Sequence, residues 1–168
     1  MNKGIQIMND ILFDKEGFKF SYRVAGILIR DNKVLLHKAL NEEGFAFPGG
    51  HASFGETSEQ TLIREFKEEL DVDIIIDDLK WVAEIFFPRG EKPCHQICLY
   101  YVVHLSDDKQ FIPDTVFIGG EYFEGRSFDI EFHWLPLGGL NSYEVYPPQA
   151  KKLILHLEDD VKHFVYKE

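Results

Sequence analysis

From Gly50 to Val72 the chain reads GHASFGETSEQTLIREFKEELDV, and this stretch decides its reading. It follows Pro48-Gly49, which ends the preceding strand-like segment 45–50, and its second half carries a helical period. Thr57 or Ser58 can cap a helix ending near Leu70, and Glu59 falls in the first turn, where the helix dipole favours negative charge. Leu62, Ile63, Phe66 and Leu70 make one apolar stripe. At about 100° per residue, Glu65, Glu68 and Glu69 fall within about 100° of arc on the adjoining face. Like charges at these spacings cost roughly 0.2–0.5 kcal/mol per pair in an isolated helix. A hard divalent cation offsets that repulsion, and Mg²⁺ commonly takes one or two carboxylates together with substrate phosphates. Arg64, four residues before Glu68, can brace Glu68 or Glu56. Gly49 and Gly50 let backbone carbonyls come close to a metal, and Glu56 is near enough in sequence to join the cluster.

A glutamate-rich helix alone is usually a solvated face, but here the pattern extends beyond the glutamates. Gly50, Glu56, Arg64, Glu65, Phe66, Glu68, Glu69 and Val72 together resemble the Nudix box: Gly, five residues, Glu, seven residues, Arg-Glu, a hydrophobic residue, any residue, Glu-Glu, any residue, Gly, a hydrophobic residue. The box spans about a seventh of the chain, and Pro48-Gly49-Gly50 with the flanking strand pattern also looks like that family. One position departs: Asp71 stands where the family has glycine, at the helix exit.

The resemblance implies a Nudix-type α/β sandwich, a mixed β-sheet packed between helices, and Mg²⁺-dependent hydrolysis of a diphosphate linkage, with Mn²⁺ able to substitute. It implies that Glu65, Glu68 and Glu69, with a carbonyl from Gly49 or Gly50, hold the ion. Glu65 or Glu68 would take the proton of the attacking water, or else a loop glutamate would, Glu121 or Glu124. Arg64 and Glu56 complete the catalytic set. The expected substrate is a nucleoside diphosphate derivative, ADP-ribose-like or nucleotide-sugar-like, or a nucleoside triphosphate. Two other classes within the family stand beside this one. A nucleotide-sensing module without activity would commonly lose box carboxylates, which are intact here. An isoprenoid diphosphate isomerase would need a protonating thiol from Cys94 or Cys98.

Composition narrows the partners. The 168 residues suit one domain, with residues 1–22 as an N-terminal hairpin extension, and the 45% hydrophobic and 28% charged content is that of an ordinary globular chain. A net charge of −11 repels polynucleotides, so a phosphorylated small molecule needs a cation to approach. A homodimer is compatible with the sequence. The opening residues lack a signal peptide's basic and apolar blocks, and no apolar run is long enough to cross a bilayer. Cys94 and Cys98, four apart on a strand-like segment, stand roughly 13 Å apart, too far for a disulfide. Reduced thiols point to the cytoplasm.

Elsewhere the pattern predicts a hairpin of residues 11–13 and 18–22, and a second hairpin of 24–29 and 34–36 around Asp31-Asn32-Lys33. Further strands are predicted at 73–76, 81–87, 96–103 and 128–134, a long polar loop at 106–126, and a helix from Pro148 with a stripe of Ala150, Leu153, Ile154 and Leu157. Arg23, Arg89 and His51 are candidates for meeting phosphate, as are Arg30 and Lys38. Pro88 lies about sixteen residues past the box, where some ADP-ribose-hydrolysing Nudix enzymes carry proline. Phe45, Phe47, Trp81, Phe86 and Phe87 can stack a base, although core packing is the default for aromatics on strands. The remaining histidines show no ligand spacing.

Overall fold

The computed structural model describes residues 9–107, 110, 112–123, 126–158 and 160–168. β1 (Leu12–Lys15) pairs with the start of β2 (Phe18–Arg30), and β2 is the spine of the molecule. The strands predicted at 18–22 and 24–29 are one strand of 13 residues, its middle buried on both faces. A two-residue turn with Asp31 and Asn32 both at positive φ leads into β3 (Lys33–Ala39), the chemistry a tight hairpin demands. β4 (Gly49–His51) returns to pair with β2, setting His51 opposite Arg23 and Gly50 opposite Val24. Along its other edge β2 runs parallel to β6 (Lys92–Leu105).

β5 (Ile74–Arg89) fuses the strands predicted at 73–76 and 81–87, because irregularities on either side of Leu79 absorb the polar break instead of ending the strand. β7 (Phe117–Phe123) and β8 (Arg126–Pro136) form a hairpin, so the predicted loop at 106–126 is partly strand. Its glycines suggested a loop for a physical reason that also explains the strand. A Cβ on Gly119 would lie 2.6 Å from the Phe132 ring and 3.1 Å from the carbonyl oxygen of Glu69, so the bare backbone lets β7 close over the carboxyl end of the helix. β9 (Lys162–Lys167), which sequence did not suggest, adds in parallel to β5. The resulting sheet is mixed, in the order β7-β8-β3-β2-β6-β5-β9, with β1 and β4 on the flank of β2.

Helical segments cover both faces. α1 (Ser58–Leu70) packs Leu62 and Phe66 against Val24, Leu28, Val103 and Phe132. On the opposite face the stripe predicted from Pro148 is correct but its helix is short: α2 (Ala150–Leu153) is one turn, continued by a 3₁₀ turn at Ile154–His156. So short a helix is held by packing, not by its own propensity, and Ala150 and Ile154 are buried with Leu140, Trp81 and Ala83. This is the expected α/β sandwich.

α1 begins as its sequence indicates. The Thr57 hydroxyl accepts from the Gln60 amide at 3.2 Å, and the Gln60 side chain accepts from the Thr57 amide at 2.9 Å. The predicted stripe needs one correction. Ile63 is exposed, and the buried face runs through Thr61, Leu62, Glu65, Phe66 and Glu69. The helix ends at Asp71 in the left-handed region, φ 52° and ψ 35°, with its N–H donating to the Lys67 carbonyl at 3.1 Å. Asp there costs roughly 1 kcal/mol relative to glycine. Its exposed pairing with Lys67 at 3.1 Å, and glycine's greater freedom when unfolded, offset only part of that. Asp71→Gly is therefore expected to raise the melting temperature by about 2–4 °C with kcat unchanged. A lower melting temperature for this variant in a thermal scan would contradict the strain at residue 71.

Candidate active site

β4, paired to the middle of β2, lies against the carboxylate face of α1, and the end of β5 reaches β4 through Arg89. Arg64 is the centre of the cluster. Its Nε donates to Glu56 Oε1 at 3.0 Å and its Nη2 to Glu56 Oε2 at 3.1 Å, while Nη1 donates to Glu65 Oε1 at 2.7 Å and Glu68 Oε2 at 3.3 Å. Nη2 also reaches the His51 carbonyl at 3.3 Å, tying α1 to β4. Glu56 accepts a further bond from the buried Thr61 hydroxyl at 2.9 Å, a support that sequence did not suggest. Burial works against ionisation of Glu56, but the Arg64 and Thr61 bonds outweigh it and hold its carboxyl below the usual value. For Glu65 burial wins over the Arg64 charge and pushes the pKa up.

Glu65 and Glu69 are only 9% and 7% exposed, so two of the three glutamates proposed as ligands on the helix are buried beside the sheet, whereas the Glu68 side chain is 52% exposed. The glycines are required by close approach. At Gly50 a Cβ would stand 2.3 Å from Glu65 Oε1, so only glycine leaves room for that carboxylate against β4. At Gly49, φ is +141° and a Cβ would meet the Val24 carbonyl oxygen at 2.2 Å. The Gly49 carbonyl accepts from Arg23 Nη2 at 2.7 Å. Among the described residues, no three His, Cys, Asp or Glu side chains stand together as a ready metal site. The reason is visible in Arg64, which takes Glu56, Glu65 and Glu68 as its own counter-charges. The donors are nonetheless all oxygen, and Gly50 lets the Glu65 carboxylate lie close against the β4 backbone, so the set fits a hard divalent cation.

Of the basic residues singled out from sequence, Arg23, His51 and Arg89 lie along the same wall. His51 is buried on β4, with its Nε2 3.2 Å from Arg89 Nη1. Burial, with the charges of Arg23 and Arg89, drives its pKa down to about 3, so the ring is neutral and its Nε2 accepts from Arg89. Pro88 and Arg23 line a cavity of about 510 Å³ whose walls include Phe45, Phe47, Phe87 and Tyr100. Trp81 belongs to the core, packed edge-to-face on Phe47 at 5.7 Å. Arg30 and Lys38 are otherwise engaged, Arg30 over the Trp134 ring at 4.3 Å and Lys38 on the Glu42 carbonyl at 3.0 Å. Glu121 pairs through its backbone with Phe128, its side chain lying outside the described residues, as does the whole of Glu124. Cys94 and Cys98 are free and buried, and burial pushes the Cys98 thiol up to about 11.

Residues 21–157 match the model of the NUDIX domain. The chain belongs to the Nudix family. Among curated proteins, this Nudix chain is 38% identical to an RNA pyrophosphohydrolase of Acinetobacter baylyi, across 79% of its length and 84% of the relative's. An ADP-ribose pyrophosphatase of Methanocaldococcus jannaschii is 51% identical over 49 residues, 27% of this chain and 29% of its own. Among solved structures, a Nudix hydrolase of Nitrosomonas europaea superposes with a TM-score of 0.54 at 18% identity, covering 100% of this chain and 99% of that one. An ADP-ribose pyrophosphatase of Streptococcus suis gives 0.55 at 16% identity, over 88% and 98%. At those identities the structures speak to the fold alone. The chain is thus an enzyme of the Nudix pyrophosphohydrolase class, in a family that generally uses a divalent metal and acts on small nucleotide diphosphates. No helix among the described residues is long and apolar enough to cross a membrane.

The buried histidines make stability depend on pH. His37 is driven by burial and the Arg23 charge down to about 3, as His51 is, from an ordinary 6.5. Below 6.5 the unfolded chain therefore binds protons that the folded chain refuses, and stability falls as the pH drops from 6.5 towards 3. The melting temperature is expected to fall by several degrees between pH 7 and pH 5, and His37→Phe to flatten that slope. An unaltered slope in the variant would remove His37 from the account.

Proposed function

We propose that this Nudix chain hydrolyses a diphosphate linkage in a nucleoside diphosphate derivative or a nucleoside triphosphate, with Mg²⁺ as the working ion and Mn²⁺ as a substitute. The observation that carries this reading is the juxtaposition of the α1 carboxylate cluster, through Arg64, with β4 and its neighbours Arg23 and Arg89, Arg23 itself lining the aromatic cavity. Glu65, Glu68 and Glu69, with the Gly50 or Gly49 carbonyl, would hold the ion. Once bound, it would neutralise charge developing on the bridging and leaving oxygens and lower the pKa of a water. Arg23 and Arg89 supply positive charge for the phosphates, and neutral His51 keeps Arg89 turned to that wall. Arg64 and Glu56 hold the carboxylates in place. Glu65 or Glu68 is the proton acceptor, with Glu121 and Glu124 as the loop alternatives. The cavity bounded by Phe45, Phe47, Phe87 and Tyr100 has the size and lining for a base.

A second reading has an observation of its own, the 38% identity to an RNA pyrophosphohydrolase. On this reading the substrate is an RNA, although a net charge of −11 weighs against a long polyanion. One assay separates the two: phosphate or nucleotide release from ADP-ribose, UDP-glucose, ATP, GTP and a 5′-triphosphorylated RNA oligonucleotide, with Mg²⁺ and with EDTA. Turnover of a small nucleotide that EDTA abolishes and Mg²⁺ or Mn²⁺ restores is expected. Full turnover in EDTA defeats the metal assignment, and turnover of RNA alone defeats the small-molecule one.

A further inference from the structure

β2 and β3 pair only at Ile29 with Val34 and Arg30 with Lys33, and beyond that point they splay. The returning segment enters the gap, with Ala46 bridging to His37, and a second cavity of about 310 Å³ opens there. Its lining includes Arg23, His37, Lys38, Glu42, Gly44 and Ile130. It shares Arg23, Glu42, Gly44 and Ala46 with the aromatic cavity, so the two meet at the arginine placed against the phosphates.

His37 is the unusual group in this lining. It is 6% exposed, on a strand whose neighbours Leu35 and Leu36 are core, and its ring stacks on Phe132 at 5.5 Å and 18°. Its Nε2 lies 3.2 Å from the Phe47 carbonyl, so Nε2 carries the proton and donates. Nδ1 is then a bare acceptor, buried and with no hydrogen-bond partner among the described residues. A buried acceptor left unsatisfied costs about 1–3 kcal/mol, which a donor brought by a ligand would recover. Protonation does not relieve it, because burial keeps the ring neutral.

We propose that His37 Nδ1 accepts a hydrogen bond from a hydroxyl or amino group of the bound substrate, making His37 a specificity residue of the second cavity. The inference rests on the nucleotide reading above. Because this cavity meets the phosphate site at Arg23, a sugar hydroxyl, only a few bonds from phosphorus, is the favoured donor over a base amine.

The test is steady-state kinetics of wild type, His37→Phe and His37→Asn, each verified as folded by circular dichroism. The substrates are whichever of ADP-ribose, UDP-glucose, ATP and GTP turns over fastest, its 2′- and 3′-deoxy analogues, and its analogue lacking the base amine or imide donor. Phenylalanine keeps the stacking on Phe132 and removes the acceptor, whereas asparagine places an amide oxygen near the Nδ1 position. His37→Phe is expected to raise KM about tenfold for the parent substrate with kcat within about threefold. It should leave KM unchanged for the one analogue that lacks the recognised donor, and His37→Asn should recover most of the loss. Silence of a deoxy analogue identifies a sugar hydroxyl, and silence of the base analogue an amino group. An equal KM rise for every substrate, or none for any, overturns the proposal and leaves His37 a packing residue. If wild type turns over no nucleotide at all, it is the reading of the preceding section that fails.

Discussion

Glu69→Gln and Glu68→Gln are each expected to lower kcat by about a hundredfold or more, with KM for the nucleotide little changed and the fold intact. Glutamine keeps the volume and one oxygen but removes the charge that a hard cation needs from its ligand. A hundredfold loss is about 2.7 kcal/mol of transition-state stabilisation, a reasonable share for one charged ligand among several. The two variants are expected to part company in stability. Glu69 is only 7% exposed, so exchanging its charge for an amide alters a buried environment, and the metal-free melting temperature of Glu69→Gln should shift measurably. The Glu68 side chain is half-exposed and loses only its 3.3 Å contact with Arg64, so Glu68→Gln should leave the melting temperature nearly where it was. Added Mg²⁺ should stabilise wild type more than either variant, a readout independent of turnover. Near-wild-type kcat in both variants would make the helix a solvated face and move the metal elsewhere.

How far the sequence reaches is clear from particular residues. Thr57, Gln60 and the run from Leu62 to Asp71 act through contacts within a few positions of each other, and the start, end and acidic face of α1 were legible for that reason. Asp71 could be named as a left-handed position because glycine is what usually stands there. Ile63 was assigned to the buried stripe because periodicity cannot say where the sheet ends, and the sheet covers Glu65 and Glu69 instead. The strand at 117–123 was missed because its glycines and charge resemble a loop, although its partner β8 follows at once, and the strand at 162–167 because it is short and its partner β5 is distant in sequence. Arg23, His51 and Arg89 were chosen separately, and only the β2–β4 pairing and the length of β5 bring them to one wall. His37 could not be found from sequence at all. Its interest comes from the splaying of β2 from β3 and from one ring nitrogen left bare, neither of which has a local pattern.

Arg64 is where the largest combined effect on activity and stability is expected. Its guanidinium serves Glu56, Glu65, Glu68 and the His51 carbonyl at once, and four directions cannot be met by the single nitrogen of lysine. Arg64→Lys should therefore lower kcat by about 10–100-fold, as loss of a group that orients metal ligands commonly does. Arg64→Met should go further and destabilise the fold by about 3–5 kcal/mol, because it leaves the buried Glu65 carboxylate and the Glu56 pair without their cation. The same loss gives a signature that simple unfolding does not. With Arg64 gone, the carboxylates lose their main counter-charge, and a divalent cation can take its place. Mg²⁺ should then raise the melting temperature of Arg64→Met by more than it raises that of wild type, while kcat stays low because the ligands are no longer held in place. Wild-type kcat in Arg64→Lys would show that the charge alone suffices and that the fork of hydrogen bonds does not orient the site. Equal Mg²⁺ stabilisation of wild type and Arg64→Met would show that the carboxylates Arg64 holds are not the ones that bind the ion.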